Sequence, residues 1–163
     1  MADQSNNIPP VLGLVLARAG SVRTPNKNGR TFAGHSLIEI SMEQVLRAKN
    51  LCYVGLSTDS EIYLSLARRM GLEEDYLRPD ELAGPKARSI DCTLHYVDWL
   101  AREKGQNIEN IMLLQPTSPF RTVNQIDDAV EQWVLSGCRS LVSVTPARDD
   151  QDCVIARHDG RLY

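Results

Sequence analysis

Val11-Leu-Gly-Leu-Val-Leu-Ala17 is a continuous apolar run that stops abruptly at Arg18. A strand with one wet face alternates apolar and polar residues; a short run without alternation suits a strand buried on both faces, as in a parallel sheet. Outward from this run the chain keeps switching between strand-like and helical patterns. After a loop over residues 19–35, Leu37, Ile38, Met42, Val45 and Leu46 recur at helical spacing. Cys52 to Leu56 reads as a strand and Ser57-Thr58-Asp59 as a capping signal. Ile62, Leu66, Ala67 and Met70 then mark a helix with Gly71 just past its end. A short strand around Tyr76-Leu77 leads to a loop from Arg78 to Arg88. Ile90, Leu94, Val97 and Ala101 mark the next helix, with Ser89 as its cap. Ile111 to Leu114 is another buried strand, stopped by Gln115-Pro116. Thr122 to Gln125 fits a capping box for the helix of Ile126, Ala129, Val130, Trp133 and Val134, which Gly137 ends. Leu141 to Val144 reads as the last strong strand, and Asp159-Gly160 as the turn of a small hairpin. Strands alternating with helices predict an α/β fold with a mostly parallel sheet flanked by helices. Residues 1–10 read as a polar tail, and 11–163 as a single domain.

The composition bounds the function. The chain has 163 residues, 42% of them apolar and 24% charged, which is ordinary globular composition. With 18 basic and 21 acidic side chains the formal net charge is −3, which argues against a nucleic-acid binder. No apolar run is long enough to span a membrane, and the polar N-terminus does not read as a secretory signal. Cys52, Cys92, Cys138 and Cys153 stand far apart with no CxxC pair, and His35, His95 and His158 are equally scattered. Zinc-site spacing is absent, so the reading is reduced, mostly buried thiols in a cytoplasmic protein, with no metal ligand assigned.

Charge is unevenly placed along this acidic chain. Between Asp3 and Glu39 there is no acidic side chain, yet Arg18, Arg23, Lys27 and Arg30 all fall there. In an open α/β sheet, ligands bind beyond the carboxyl ends of the strands, where this loop begins. Gly20 lets the backbone turn its N–H groups toward an anion. Such a loop suits a di- or triphosphate, whose charge needs several donors at once; the bland alternative is a solvated basic loop. The dinucleotide fingerprint GxGxxG, the P-loop and the nucleophile elbow GxSxG are all missing.

VLGLVLARAGSVRTPNKN, Val11 to Asn28, resembles the N-terminal signature of the acylneuraminate cytidylyltransferases, strand-ARGGSK-x-x-P-x-KN. LSTDSE (Leu56 to Glu61), LRPDELA (Leu77 to Ala83), LLQPTSPFRT (Leu113 to Thr122) and SLVSVTPA (Ser140 to Ala147) match in the same order. The resemblance implies a Rossmann-like, glycosyltransferase-A-type fold. It also implies transfer of CMP from CTP to an acidic nine-carbon sugar such as sialic acid, with Mg2+ required, pyrophosphate released and a homodimer expected.

Carried over by position, Arg18 and Lys27 resemble the residues that hold the triphosphate, with Ala17, Gly20 and Ser21 forming the loop around them. Asn28, Arg78 and Ser89 match positions on the cytidine side; Arg78 also reads as a rim salt-bridge residue. Gln115, Thr117 and Ser118 match the segment that faces the sugar, and as bare sequence they are a proline-bounded turn. Asp59 matches the STD motif but reads equally as a helix cap, so it is left outside the site.

Two positions depart from the signature. Ala19 replaces its second glycine, and Val22 replaces the lysine after the serine, leaving Arg23 as the neighbouring cation and third catalytic candidate beside Arg18 and Lys27. An arginine one residue along is not geometrically equivalent. Family members continue beyond residue 163, and that further portion supplies sugar contacts, an aspartate for magnesium and a dimerisation extension. The cluster Asp149, Asp150 and Asp152 reads as a solvated loop rather than a replacement. Two alternatives accompany this reading: transfer to a related legionaminic, pseudaminic or 3-deoxy-octulosonic acid, and a non-catalytic nucleotide- or sugar-binding module of the same fold.

Overall fold

A computed structural model describes residues 8–20 and 24–144, and two short strands at 157–158 and 161–162. The element order is β1 (Val11–Leu16), β2 (Thr31–Phe32), β3 (His35–Ser36), α1 (Leu37–Arg47), β4 (Tyr53–Ser57), α2 (Glu61–Arg69), α3 (Ser89–Lys104), β5 (Asn110–Leu113), α4 (Val123–Ser136), β6 (Arg157–His158) and β7 (Arg161–Leu162). β1 is the central strand of a three-stranded parallel sheet ordered β4-β1-β5. Leu12 lies opposite Tyr53 on one side and Ile111 on the other. β2–β3 and β6–β7 are small antiparallel pairs.

The unbroken apolar character of β1 follows from this position. Val11, Val15 and Ala17 face a core built with Ile38, Met42 and Val45 of α1, Tyr63, Leu64 and Ala67 of α2, and Ile126 and Val130 of α4. Leu12 and Leu14 face the opposite core, with Tyr76 and with Tyr96 and Leu100 of α3. Both faces are dry, so neither phase of the alternation can be polar. Gly13 lies at a close approach: a Cβ there would sit 2.5 Å from Leu51 Cδ1, so the Leu51 side chain would have to shift.

The expected capping box and stop of α4 both appear: Thr122 Oγ1 accepts from the Gln125 N–H, and Gly137 closes the helix at φ 60°. α1 starts on a capping box of Ser36 and Glu39, directly after the segment 19–35 that the sequence reading assigns to loop and that contains β2. Other expectations are corrected. The cap of α2 is Ser60, whose side chain accepts from the Tyr63 N–H, and not Ser57-Thr58-Asp59. Ser89 is the first residue of α3 rather than its cap; Arg88 holds that position and pairs with Asp91 at 2.7 Å. The buried stripe of α3 is Cys92, Thr93, Tyr96 and Leu100, while Ile90 and Leu94 are exposed. Ile62 likewise points outward from α2. In both helices two apolar stripes compete, and the aromatic residues take the core because they bury the larger area.

Tyr76-Leu77 is not a strand. Its neighbour Arg78 instead donates its N–H to the Thr58 carbonyl at 2.7 Å, and Tyr76 is buried against Tyr96 and Trp99. Leu141 to Val144 is not a strand either: Leu141, Val142 and Val144 are 49%, 61% and 62% exposed. Strand propensity is realised only against a partner, and among the described residues no strand pairs with this segment. Cys52 and Cys138 are exposed free thiols and only Cys92 is buried, which corrects the expectation of mostly buried cysteines; Cys153 lies outside the described residues.

Candidate nucleotide site

In a parallel sheet ordered β4-β1-β5, the chain leaves β1 for β4 on one side and later reaches β5 on the other. The connection through α1 packs on one face and that through α3 on the other. The carboxyl ends of β1 and β5 therefore diverge, and this switch point is where an open α/β sheet forms its crevice. A cleft of about 190 Å³ lies there, lined by Leu16, Arg18, Lys27, Asn28, Arg78, Ala87, Ser89, Cys92, Gln115, Pro116 and Thr117.

Seven of the residues singled out from sequence meet at this cleft: Arg18, Lys27, Asn28, Arg78, Ser89, Gln115 and Thr117. Ala17 is fully buried beneath it, its N–H donating to the Ser57 carbonyl at 3.0 Å. Gly20 is described but does not line the cleft. Ser118 does not line it either; its N–H closes a turn onto the Gln115 carbonyl at 3.2 Å. Ser21, Val22, Arg23 and the cluster Asp149, Asp150 and Asp152 lie outside the described residues.

Arg78 and Asn28 are held by polar partners and not by acids. Arg78 is 5% exposed; its Nε donates to Ser57 Oγ at 3.0 Å and its Nη2 to the Ser57 carbonyl at 2.6 Å. It is therefore not a rim salt-bridge residue. Among the described residues no carboxylate pairs with Arg18, Lys27 or Arg78, and none lines the cleft. A buried guanidinium held only by a hydroxyl and a carbonyl keeps its charge for something that enters the cleft. Asn28 is buried, and its Nδ2 donates to the Arg18 carbonyl at 3.2 Å, tying the two ends of the basic loop together. The lining can thus accept a polyanion from several directions at once.

The sequence reading missed the supports. Asp59 is not a helix cap: its Oδ1 accepts the Ala19 N–H at 2.7 Å, across 40 residues. Ser57 holds Arg78, and Tyr63 reaches Asn26 in the basic loop. The signal for Asp59 was its place after the β4 strand; nothing in the sequence marks Tyr63. Among the described residues no group of three or more His, Cys, Asp or Glu is placed to hold a metal ion.

A parallel α/β sheet with a cation-lined cleft at its switch point places the chain in the class of open α/β proteins with a ligand crevice at the carboxyl ends of the strands. The family model described as "Cytidylyltransferase" matches residues 12–153, and the chain belongs to that family. It is 35% identical over 138 residues to the CMP-N,N'-diacetyllegionaminic acid synthase of Legionella pneumophila, covering 83% of this chain and 58% of that protein. It is 34% identical over 140 residues to an N-acylneuraminate cytidylyltransferase of Escherichia coli, covering 83% of this chain and 31% of that one. Among solved structures, a CMP:2-keto-3-deoxy-manno-octonic acid synthetase complexed with CTP superposes with a TM-score of 0.61 over 79% of this chain and 49% of its own, at 17% identity. That last likeness is one of fold. The chain thus spans 58% and 31% of the lengths of the two curated relatives.

Proposed function

We propose that this chain carries the CTP site of an enzyme that transfers CMP to an acidic nine-carbon sugar of the N-acylneuraminate type, releasing pyrophosphate. The observation that carries the reading is the cleft itself: Arg18, Lys27 and Arg78 converge on it without a lining carboxylate, in a chain of the cytidylyltransferase family. The names of the relatives, which act on legionaminic and neuraminic acids, support the sugar class.

In this reading Arg18 and Lys27 hold the triphosphate, with Ala17, Gly20, Ser21 and Arg23 in the same loop. Asn28, Arg78 and Ser89 take the cytidine side, and Gln115, Thr117 and Ser118 the sugar side. The sugar's anomeric hydroxyl attacks the α-phosphorus and loses its proton; the new O–P bond forms as the bond to pyrophosphate breaks. Negative charge then grows on the phosphate oxygens and on the leaving group, and fixed cations and backbone donors lower the barrier by opposing it. Reactions of this kind use a divalent metal, Mg2+ in our reading, but the described lining offers no carboxylate and does not fit a protein-held ion. The reading extends to residues 11–163 acting as one domain, to a cytoplasmic setting where CTP is available, and to a homodimer. No described helix is long and apolar enough to cross a membrane.

Calorimetry with CTP, ATP and GTP in the presence of magnesium tests the base side. CTP is expected to bind most tightly, and equal affinities would leave only phosphate recognition. Supplying CTP, magnesium and either N-acetylneuraminic or N,N'-diacetyllegionaminic acid, with pyrophosphate followed, tests transfer. Val22 in place of the signature lysine removes one cation, so turnover is expected to be slow, by roughly a hundredfold for one such lost contact.

A further inference from the structure

The basic loop is tied down at both ends by side chains that never reach the cleft. At its start, the Ala17 N–H donates to the Ser57 carbonyl at 3.0 Å and the Ala19 N–H to Asp59 Oδ1 at 2.7 Å. Arg18 sits between these two tethered amides, and its own carbonyl accepts from Asn28 Nδ2 at 3.2 Å. Its backbone is therefore held on three sides before its side chain enters the cleft. At the far end, Asn26 adopts a left-handed conformation, φ 53° and ψ 35°, which costs a residue other than glycine some strain. The Tyr63 hydroxyl donates to Asn26 Oδ1, and the Asn26 carbonyl accepts from Gly29 and Arg30, each at 3.0 Å. The turn Lys27–Gly29 follows, closed down on the Tyr63 ring so tightly that a Cβ on Gly29 would lie 2.9 Å from it.

Asp59 and Tyr63 stand four residues apart, one just before and one just inside the first turn of α2. A carboxylate beside a polyphosphate site repels its ligand, so Asp59 is misplaced there unless it does something a neutral surface residue would not. What it does is accept a backbone N–H of the loop, a charge-assisted bond stronger than an ordinary one.

We propose that Asp59 and Tyr63 are positioning residues that clamp the two ends of the basic loop and so set where Arg18 and Lys27 present their charge to a triphosphate. The proposal rests on the CTP reading for its ligand, but the clamp exists in the free protein.

The experiment has a ligand-free and a ligand-bound arm, on the 163-residue chain and its Asp59→Ala, Asp59→Asn and Tyr63→Phe variants. Without ligand, amide hydrogen exchange at Ala19 is expected to quicken about tenfold in Asp59→Ala, the loss set by one charge-assisted bond, while β1 amides stay protected. An Ala19 amide that exchanges equally fast in both overturns the clamp. With ligand, CTP affinity is expected to fall about tenfold in Asp59→Ala and about threefold in Tyr63→Phe. Cytidine affinity, titrated by NMR, should be unchanged in Asp59→Ala, whose clamp lies at the Arg18 end of the loop. Asp59→Asn keeps an acceptor but loses the charge assistance, so its Ala19 amide should exchange at a rate between those of the parent and Asp59→Ala. If Asp59→Ala binds CTP as tightly as the parent or more so, or loses cytidine in proportion, Asp59 is not a positioning residue. A parent chain that binds CTP no better than cytidine would instead sink the nucleotide reading, with the exchange arm still deciding the clamp.

Discussion

Arg18, just past β1, and Glu74, packed behind β4, show how differently a charged residue behaves in a cleft and in the core. Arg18 leaves a buried strand for a cleft without acids, so its charge serves whatever enters and not the fold. Arg18→Ala is therefore expected to weaken CTP binding by about 1.5–3 kcal/mol while the melting temperature holds, measured by calorimetry beside thermal unfolding. A lowered melting temperature with unchanged affinity would make Arg18 structural. Glu74 is tucked behind β4, where its carboxylate accepts from the Tyr96 hydroxyl, Leu56 offers an N–H at 3.5 Å, and Lys104 and Asp75 stand nearby. Burial pushes its pKa up to about 7 from an ordinary 4.5. The folded state thus keeps a proton that the unfolded chain gives up, so the stabilisation is full below pH 4.5 and is lost as pH rises toward 7. Glu74→Gln should remove most of that slope and stabilise the protein at pH 8 by on the order of 2 kcal/mol, read from melting temperatures across the range. A pH profile identical to the parent's would show that Glu74 is ionised at no cost.

At the scale of elements, the boundaries that sequence marked best are those made by local chemistry. α4 begins where Thr122 and Gln125 satisfy each other's amides and ends where Gly137 can turn left-handed. Because the bond is local, its worth is also local: Thr122→Ala is expected to cost about 1 kcal/mol, or roughly 2–4 °C in melting temperature, checked by thermal unfolding. No loss would mean that the packing of Ile126 and Val130 alone holds the helix start. α2 and α3 lie where periodicity places them, and Ala67, Leu66, Met70 and Val97 pack inward as expected, but Ile62, Ile90 and Leu94 point outward. Ile62 and Ile90–Leu94 satisfy helical periodicity as well as Tyr63–Leu64 and Tyr96–Leu100 do, and periodicity cannot say which stripe meets the sheet. The segment Leu141 to Val144 shows the same limit for strands, since its composition asks for a partner edge that the described residues do not provide.

Over the whole molecule, β1 alone announced the architecture. Seven apolar residues in a row can be dry on both sides only inside a sheet covered by helices on both faces. The polarity of the site was equally legible, because four cations without an intervening acid, just past that strand, need no tertiary information to be noticed. What the linear chain does not contain is distance. Ser57, Asp59 and Arg78 meet the loop of residues 17–30 only because β4 pairs beside β1 in register, bringing Ser57 opposite Leu16. Gln115 and Thr117 share the cleft only because β5 pairs on the other side. Local chemistry therefore determined the central strand β1, both ends of α4 and the charged loop, whose causes lie within a few residues of one another. Pairing across the sheet decided which helix faces are buried, that Arg78 is held by Ser57 and not by an acid, and that Asp59 braces Ala19. Those outcomes depend on contacts between residues tens of positions apart, and only the packed sheet brings them within the reach of a hydrogen bond.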